Sequence, residues 1–317
     1  MDAPPGMDER LAGLVRLLEL ERLEVNLFRG ESRDIGSPQV FGGQVLGQAL
    51  KAAYATIERD RAVHSLHAYF LKRGDFDAPI VYFVDRSRDG HSFTSRRVTA
   101  IQHGEQIFHM SASFQRPEPG VEHQLDMPAA PEPESVPDLG LRTSRLLSQL
   151  PEKMRQFYAH VHPFEFRMTD PIDPLHPRDA APRQLIWIRA VDRLPDDEVL
   201  HRCLFAYLSD FHLLGTAIRP HALTFASGKL MLASIDHAMW FHRPARVDEW
   251  LLCVMDSPSA SGSRGFARCS IFTRDGRLVA STAQEGLLRR IDAAGPTRAE
   301  PPSSPDPTAN PSAPRAG

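Results

Sequence analysis

Asp210 stands in FAYLSDFHLL, a carboxylate set among Tyr207, Leu208, Phe211, Leu213 and Leu214. A lone helical aspartate is usually a solvated residue or a cap, but these neighbours weigh against an exposed helix. Ser234 and Gln284 sit in strand-like segments, where small polar residues are ordinarily just tolerated. Strand alternation places Ser234 with Asp236, Ala238 and Trp240 on one face, neither plainly core nor plainly solvent. His67 and His237 invite a nucleophilic or ligand role, yet histidines within hydrophobic strands are more often structural and hydrogen-bonded. Asp236 beside His237 imitates an acid and base pair, but adjacent strand residues point to opposite faces. ASGSRG (260–265) misses G-x-S-x-G because Ser261 stands where the first glycine is required. GGQVLG (42–47) is not a dinucleotide fingerprint. Arg96, Arg97, Arg264 and Arg268 have the chemistry to reach phosphates, although surface solubility is the commoner role of any one of them. Taken singly, none of these residues names a reaction.

The elements that must position them come in a repeated order. In the first half LEVNLFRGES alternates like a strand, FGGQVLGQALKAAYATI (41–57) has helical spacing of small and apolar residues, and four strand candidates follow up to Arg116. The second half repeats this with QLIWIRAV, one helix over DDEVLHRCLFAYLSDFHLLGTAI, and strands from KLMLASIDHAMWFHRP to RLVASTAQEGLLR. HAYFLKRGDFDAPIVYFV (67–84) lies over HAMWFHRPARVDEWLLCV (237–254) without a gap at an offset of 170. His67 then matches His237, and Phe70 stands opposite Trp240. Duplication of an α+β unit is the economical account. The expected divisions are a first repeat over 8–116, a linker with a helix over 117–183, a second repeat over 184–290, and a disordered tail over 291–317. The tail carries seven prolines in 27 residues. The linker helix is read from Leu141, Leu146, Leu147 and Leu150, broken near Pro151.

The motifs LFRGESRDIGSPQVFGGQVLGQAL (27–50), HSLHAYFLKRGD (64–75), RDGHSFTSRRVTAIQHG (88–104), SIDHAMWFHRP (234–244), GSRGFAR (262–268) and STAQEGLLR (281–289) agree in order and spacing. Through them the chain resembles the acyl-CoA thioesterase II family, over residues 8–290. The resemblance implies an α+β double-hotdog fold, with one continuous sheet around two central helices. It also implies hydrolysis of fatty acyl-CoA without metal or cofactor, by an Asp, Thr or Ser, Gln triad carried over onto Asp210, Ser234 and Gln284. Within that set only Asp210 titrates, so it is the expected general base, with Ser234 and Gln284 fixing the water. A carboxylate on a helix inside a sheet is partly desolvated, which makes it a better base. Gly42 and Gly43 are candidate substrate-binding positions that bring a backbone N–H to the oxyanion at a helix N-terminus, and Arg264 is a candidate CoA contact. The first helix carries no carboxylate at the matching place, so one active half per chain is expected.

Bulk composition excludes other classes. A formal charge of -3 without a Lys/Arg run gives no nucleic-acid face. No apolar run reaches the roughly 20 residues of a membrane span. Cys203, Cys253 and Cys269 are odd in number and lack CxxC spacing, which fits a cytoplasmic protein with neither disulfides nor a zinc cage. A homo-oligomer is expected by resemblance. Two rival readings stay open: a hydratase or dehydratase on enoyl-CoA, and a non-catalytic acyl-CoA binding protein. The first needs an Asp and His pair on the helix, where His212 would lie about 200° from Asp210.

Overall fold

The structure, a computed structural model, describes residues 6–37, 39–139, 147–149, 155, 162–225 and 228–291. The tail beyond 291 lies outside the described residues. So does the helix expected over 141–150, apart from a single 3-10 turn at Leu147–Gln149.

The alternation read from the sequence is realised as one antiparallel sheet of thirteen strands among the described residues. They are β1 (Glu21–Glu24), β2 (Leu27–Gly30), β3 (Ala62–Phe70), β4 (Ile80–Asp89), β5 (Phe93–Gln102), β6 (Glu105–Gln115), β7 (Phe164–Met168), β8 (Arg183–Ala190), β9 (Leu230–Ser234), β10 (Asp236–Phe241), β11 (Leu251–Ser261), β12 (Arg264–Thr273) and β13 (Leu278–Arg290). The order β1-β2-β4-β5-β6-β3 meets β10-β13-β12-β11-β8-β7, with β9 beside β13. Each side of the β3 and β10 seam is thus built in the same order from its far edge inward. This is the α+β double hotdog. The first strand candidate is a hairpin instead, turning at Val25 and Asn26 between β1 and β2.

The repeat register differs from the expected one. At the seam Ala68 pairs with His237 and Leu66 with Met239, and paired residues face the same side. Leu71 N–H donates to Ile107 C=O as His242 N–H donates to Val279 C=O. The offset is therefore 171, which aligns Leu66 with His237, Tyr69 with Trp240 and Phe70 with Phe241. A one-residue slip exchanges the two faces of a strand. His67 accordingly lies exposed on the outer face, edge-on to Trp240 at 5.3 Å between ring centroids, while His237 is buried on the inner face.

Among the described residues four helices line the inner side: α1 (Glu9–Leu18), α2 (Gly42–Tyr54), α3 (Glu198–Leu208) and α4 (Leu213–Ile218). α1 is an element beyond those expected; Asp8 caps it, and Leu11, Leu14, Val15 and Leu18 form its buried stripe. Leu46 and Leu50 of α2 are wholly buried, each stabilising the fold by roughly 1.5–3 kcal/mol. Small residues set how α2 and α3 meet. A side chain at Gly43 would run into Tyr207 C=O, and one at Gly47 into Cys203 C=O, so the helices lie antiparallel with their backbones nearly touching. The N-terminus of α2 thereby sits beside the C-terminus of α3.

The second central helix is broken. Over 196–218 one helix was expected, but α3 ends at Leu208, capped by Ser209, and α4 starts after His212, whose φ of 66° is left-handed. Such a residue costs about 1–3 kcal/mol unless its surroundings enforce it. Here Gln184 Nε2 and Thr216 Oγ1 both donate to His212 C=O. Asp210 therefore sits in a turn between α3 and α4, not within a helix.

Arg96 does not face solvent. Its guanidinium is buried and donates to Thr56 Oγ1, Thr56 C=O, Ser95 C=O and Arg88 C=O, tying the end of α2 to β4 and β5. The segment 117–138 runs along the second half, with Gln124 accepting from Leu278 N–H and Pro131 C=O accepting from Trp187 Nε1. Met127 and Ala130 pack there against a second small core of Trp187, Trp250, Leu252 and Phe272.

Candidate active site

A β-bulge brings Ser234 inward. Ser234 pairs with Gly286 and Ala238 with Ala283, so four steps along β9 and β10 match three along β13. The extra residue falls at Ile235, where Asp236 Oδ1 accepts from Glu285 N–H. Bulges re-aim side chains in this way. Ser234 consequently leaves the face of Ala238 and Trp240, where simple alternation had put it, and joins the inner side.

Gln284 projects inward from β13 and is 1% exposed. Its Nε2 donates to Asp210 Oδ1 at 2.6 Å and to Ser234 Oγ at 3.1 Å. A carboxylate only accepts, so the amide nitrogen must face it. Both amide hydrogens are then spent, and Ser234 Oγ, already accepting, has its own proton to donate. Asp210, Ser234 and Gln284 thus converge from the α3–α4 turn, β9 and β13.

The Asp210 side chain is only 5% exposed. Burial pushes its pKa up from 3.8 to about 7, against the opposing effects of the Gln284 bond and of the Gly43 backbone amide hydrogen-bonded to it. A carboxylate at this value is half ionised near neutrality, the range in which a general base works best.

The two glycines expected to meet substrate have different surroundings. Gly43 N–H faces Asp210 closely enough to oppose the rise of its pKa. Gly42 is the first residue of α2, whose N–H has no intrahelical acceptor, and a side chain there would touch Asp210 Oδ2. Gly42 and Ser234 line a pocket of about 210 Å³ walled by Val45, Phe70, Ile107 and Phe108, with exposed Leu71, Lys72 and Arg73 at its lip. Arg264 does not line it, being paired with Glu285 at 2.9 Å on the surface. A larger cleft of about 510 Å³ beside Trp250 and Arg277 lies at the Thr273 end of β12, away from Gly265 and Ser234. Its arginines are paired, Arg189 with Glu165, Arg274 with Glu132 and Glu134, and Arg277 with Asp275.

His212, the partner a hydratase reading would need, turns away and packs against Phe166 at 5.1 Å between centroids. The histidine that does approach Asp210 is His237, its Nδ1 4.0 Å from Asp210 Oδ1. It was expected to be structural, as the counterpart of His67. A register of 171 would have put it on the inner face. Among the described residues no group of three His, Cys, Asp or Glu side chains is arranged to hold a metal ion.

Comparison with known proteins covers both halves. The family model described as Acyl-CoA thioesterase matches residues 159–287, and that described as Acyl-CoA thioesterase N-terminal domain matches 29–115. Acyl-CoA thioesterase 2 of Haemophilus influenzae is 43% identical over 283 residues, 89% of this chain and 99% of that protein. Human acyl-coenzyme A thioesterase 8 is 39% identical over 294 residues, 90% of this chain and 91% of that protein. The crystal structure of the acyl-CoA thioesterase II TesB2 from Mycobacterium marinum superposes with a TM-score of 0.72 at 43% identity, covering 90% of this chain and all of that one. Identity near 40%, sustained across nearly the whole length of these enzymes, does not arise from a shared fold alone, and the chain belongs to the acyl-CoA thioesterase family.

Proposed function

We propose that this thioesterase hydrolyses fatty acyl-CoA to free fatty acid and CoA through a water activated by Asp210 and held by Ser234 and Gln284. The observation that carries the reading is the Gln284 amide, which joins the carboxylate and the hydroxyl in one hydrogen-bonded set. Asp210 takes a proton from the water as its oxygen attacks the thioester carbonyl carbon. The tetrahedral intermediate then expels the CoA thiolate, and the proton on Asp210 returns to sulfur. The oxyanion meets the Gly42 N–H, where the α2 dipole favours negative charge. The apolar wall of Val45, Phe70, Ile107 and Phe108 in the pocket beside Gly42 is the surface at hand for the acyl chain.

In this reading residues 184–290 carry the chemistry and 8–116 supply the pocket wall and the α2 amides, with 117–183 between them. The reading includes a cytoplasmic setting and a homo-oligomer, the latter favoured by Tyr69 and Trp240 exposed on the outer face of the seam. No described helix is long and apolar enough to cross a membrane.

Free-thiol release from acyl-CoA substrates of graded chain length tests the activity, and its pH dependence tests the base. A carboxyl pushed up to about 7 is active when ionised, so kcat is expected to rise through about pH 7 and level off above it. A kcat that stays flat from about pH 5.5 to pH 8.5 contradicts Asp210 as the base. Loss of turnover with EDTA would assign the chemistry to a metal instead.

A further inference from the structure

His237 is buried, does not line the pocket, and has no part in the proposed hydrolysis. Its hydrogen bonds nevertheless determine which of its nitrogens carries the proton. Ser209 Oγ lies 2.9 Å from Ala206 C=O and 2.9 Å from His237 Nε2. A hydroxyl has one proton and a carbonyl can only accept, so that proton goes to Ala206. Ser209 Oγ must therefore accept from His237 Nε2–H. Burial keeps the ring neutral, with its pKa down at about 3. Nδ1 is then a bare lone pair. It has no hydrogen-bond partner among the described residues and lies 4.0 Å from Asp210 Oδ1. The spacing suits an ion pair, but the proton count gives a lone pair facing a carboxyl.

We propose that His237 is a positioning residue for the hydrolysis: its Nε2–H fixes the Ser209 turn that carries Asp210, and its bare Nδ1 faces the carboxyl as an acceptor. This rests on Asp210 being the base. An anionic Asp210 is opposed by the lone pair, whereas the protonated form has an acceptor beside it, so the arrangement strengthens the base and favours its acid form after proton transfer. The other groups facing Asp210 are Gln284 from β13, the Gly43 amide from α2 and Tyr207 from α3. Of these only Tyr207 titrates, and burial holds its phenol well above the usual range.

Ser209→Ala tests the idea without touching the pocket. With no acceptor for Nε2–H, the ring gains by carrying its proton on Nδ1, where it donates to Asp210. The rise in kcat, half-complete near pH 7 in the wild type, is expected half-complete at about pH 6 or below, with the plateau down by about threefold to tenfold. His237→Gln keeps an N–H toward Ser209, removes Nδ1, and should move the rise the same way. Nitrogen-15 spectra of the wild type, assigned from the His237 backbone, should show a neutral Nε2–H tautomer at pH 7. A rise that stays put in both variants, or a charged or Nδ1–H ring in the wild type, overturns the proposal. A histidine that only packs would lower the melting temperature and leave the pH profile where it was. The base assignment fails separately, if Asp210→Asn retains turnover, and the tautomer measurement does not depend on that result.

Discussion

Replacing Asp210 by Asn should lower kcat by about a thousandfold or more and, in the same protein, raise the melting temperature at pH 8. The loss follows from removing the only titratable member of the set, since a positioned general base contributes about 10²–10⁴-fold and the water also loses its anionic acceptor. The gain follows from linkage. The Asp210 carboxyl goes from an ordinary value of 3.8 to about 7 on folding, so the native protein holds this proton more tightly than the unfolded chain. Its contribution to stability is full below about pH 4 and is lost as pH rises through about 7. Above that range the buried anion costs at most about 4 kcal/mol relative to a group that stays neutral. Asparagine has nearly the same shape, offers one oxygen to Gln284, and never ionises. Thermal unfolding of both proteins at pH 5 and pH 8 should therefore show an Asn advantage that widens at pH 8, by several degrees for a chain of this size. Such a cost, borne only where the chemistry needs it, is expected of an active site. An Asn variant that turns over normally refutes the base. One that is inactive but less stable than the wild type at pH 8 refutes the strained buried carboxylate.

The element order was legible because both halves carry the same local signals: small residues at helical spacing, then alternating strands. The repeat register was not, for a physical reason. Matching His67 to His237 is rewarded by identity, but strands are set by which face is buried, and Ala68, Met110, Met239 and Phe241 on the inner side require 171. The same limit hid the Ile235 bulge, which exists only through pairing with β13. It also hid the α3–α4 break. SDFHLL contains no Gly or Pro to mark it, and the left-handed His212 is held by Thr216 of α4 together with Gln184 from β8, 28 residues earlier. The site residues were named through family resemblance. Spacing alone could not have joined a turn, a bulged strand and the last strand.

The two neighbouring glycines at the start of α2 should respond to alanine in opposite ways. At Gly43 an ideal Cβ lies 2.2 Å from Tyr207 C=O and 2.4 Å from Phe41 Cε1. The first of these is backbone of α3, which can yield only if the two helices separate. Gly43→Ala is therefore expected to cost about 3 kcal/mol or more, seen as a sharp fall in melting temperature or failure to fold. At Gly42 the Cβ lies 2.7 Å from Asp210 Oδ2 and 3.0 Å from the Phe70 ring. Both obstacles are the ends of side chains, which can swing away. Gly42→Ala should fold with a melting temperature close to the wild type, yet move the carboxylate by several tenths of an ångström and narrow the pocket. Misplacement on the scale of 1 Å costs about 100-fold in rate, so kcat should fall by about tenfold to a hundredfold while the stability stays near that of the wild type. If Gly43→Ala melts like the wild type, the close approach of α2 and α3 is not what the glycine serves. If Gly42→Ala keeps full kcat, the position of Asp210 Oδ2 does not limit the reaction, and the α2 terminus would be acting on substrate through its dipole alone.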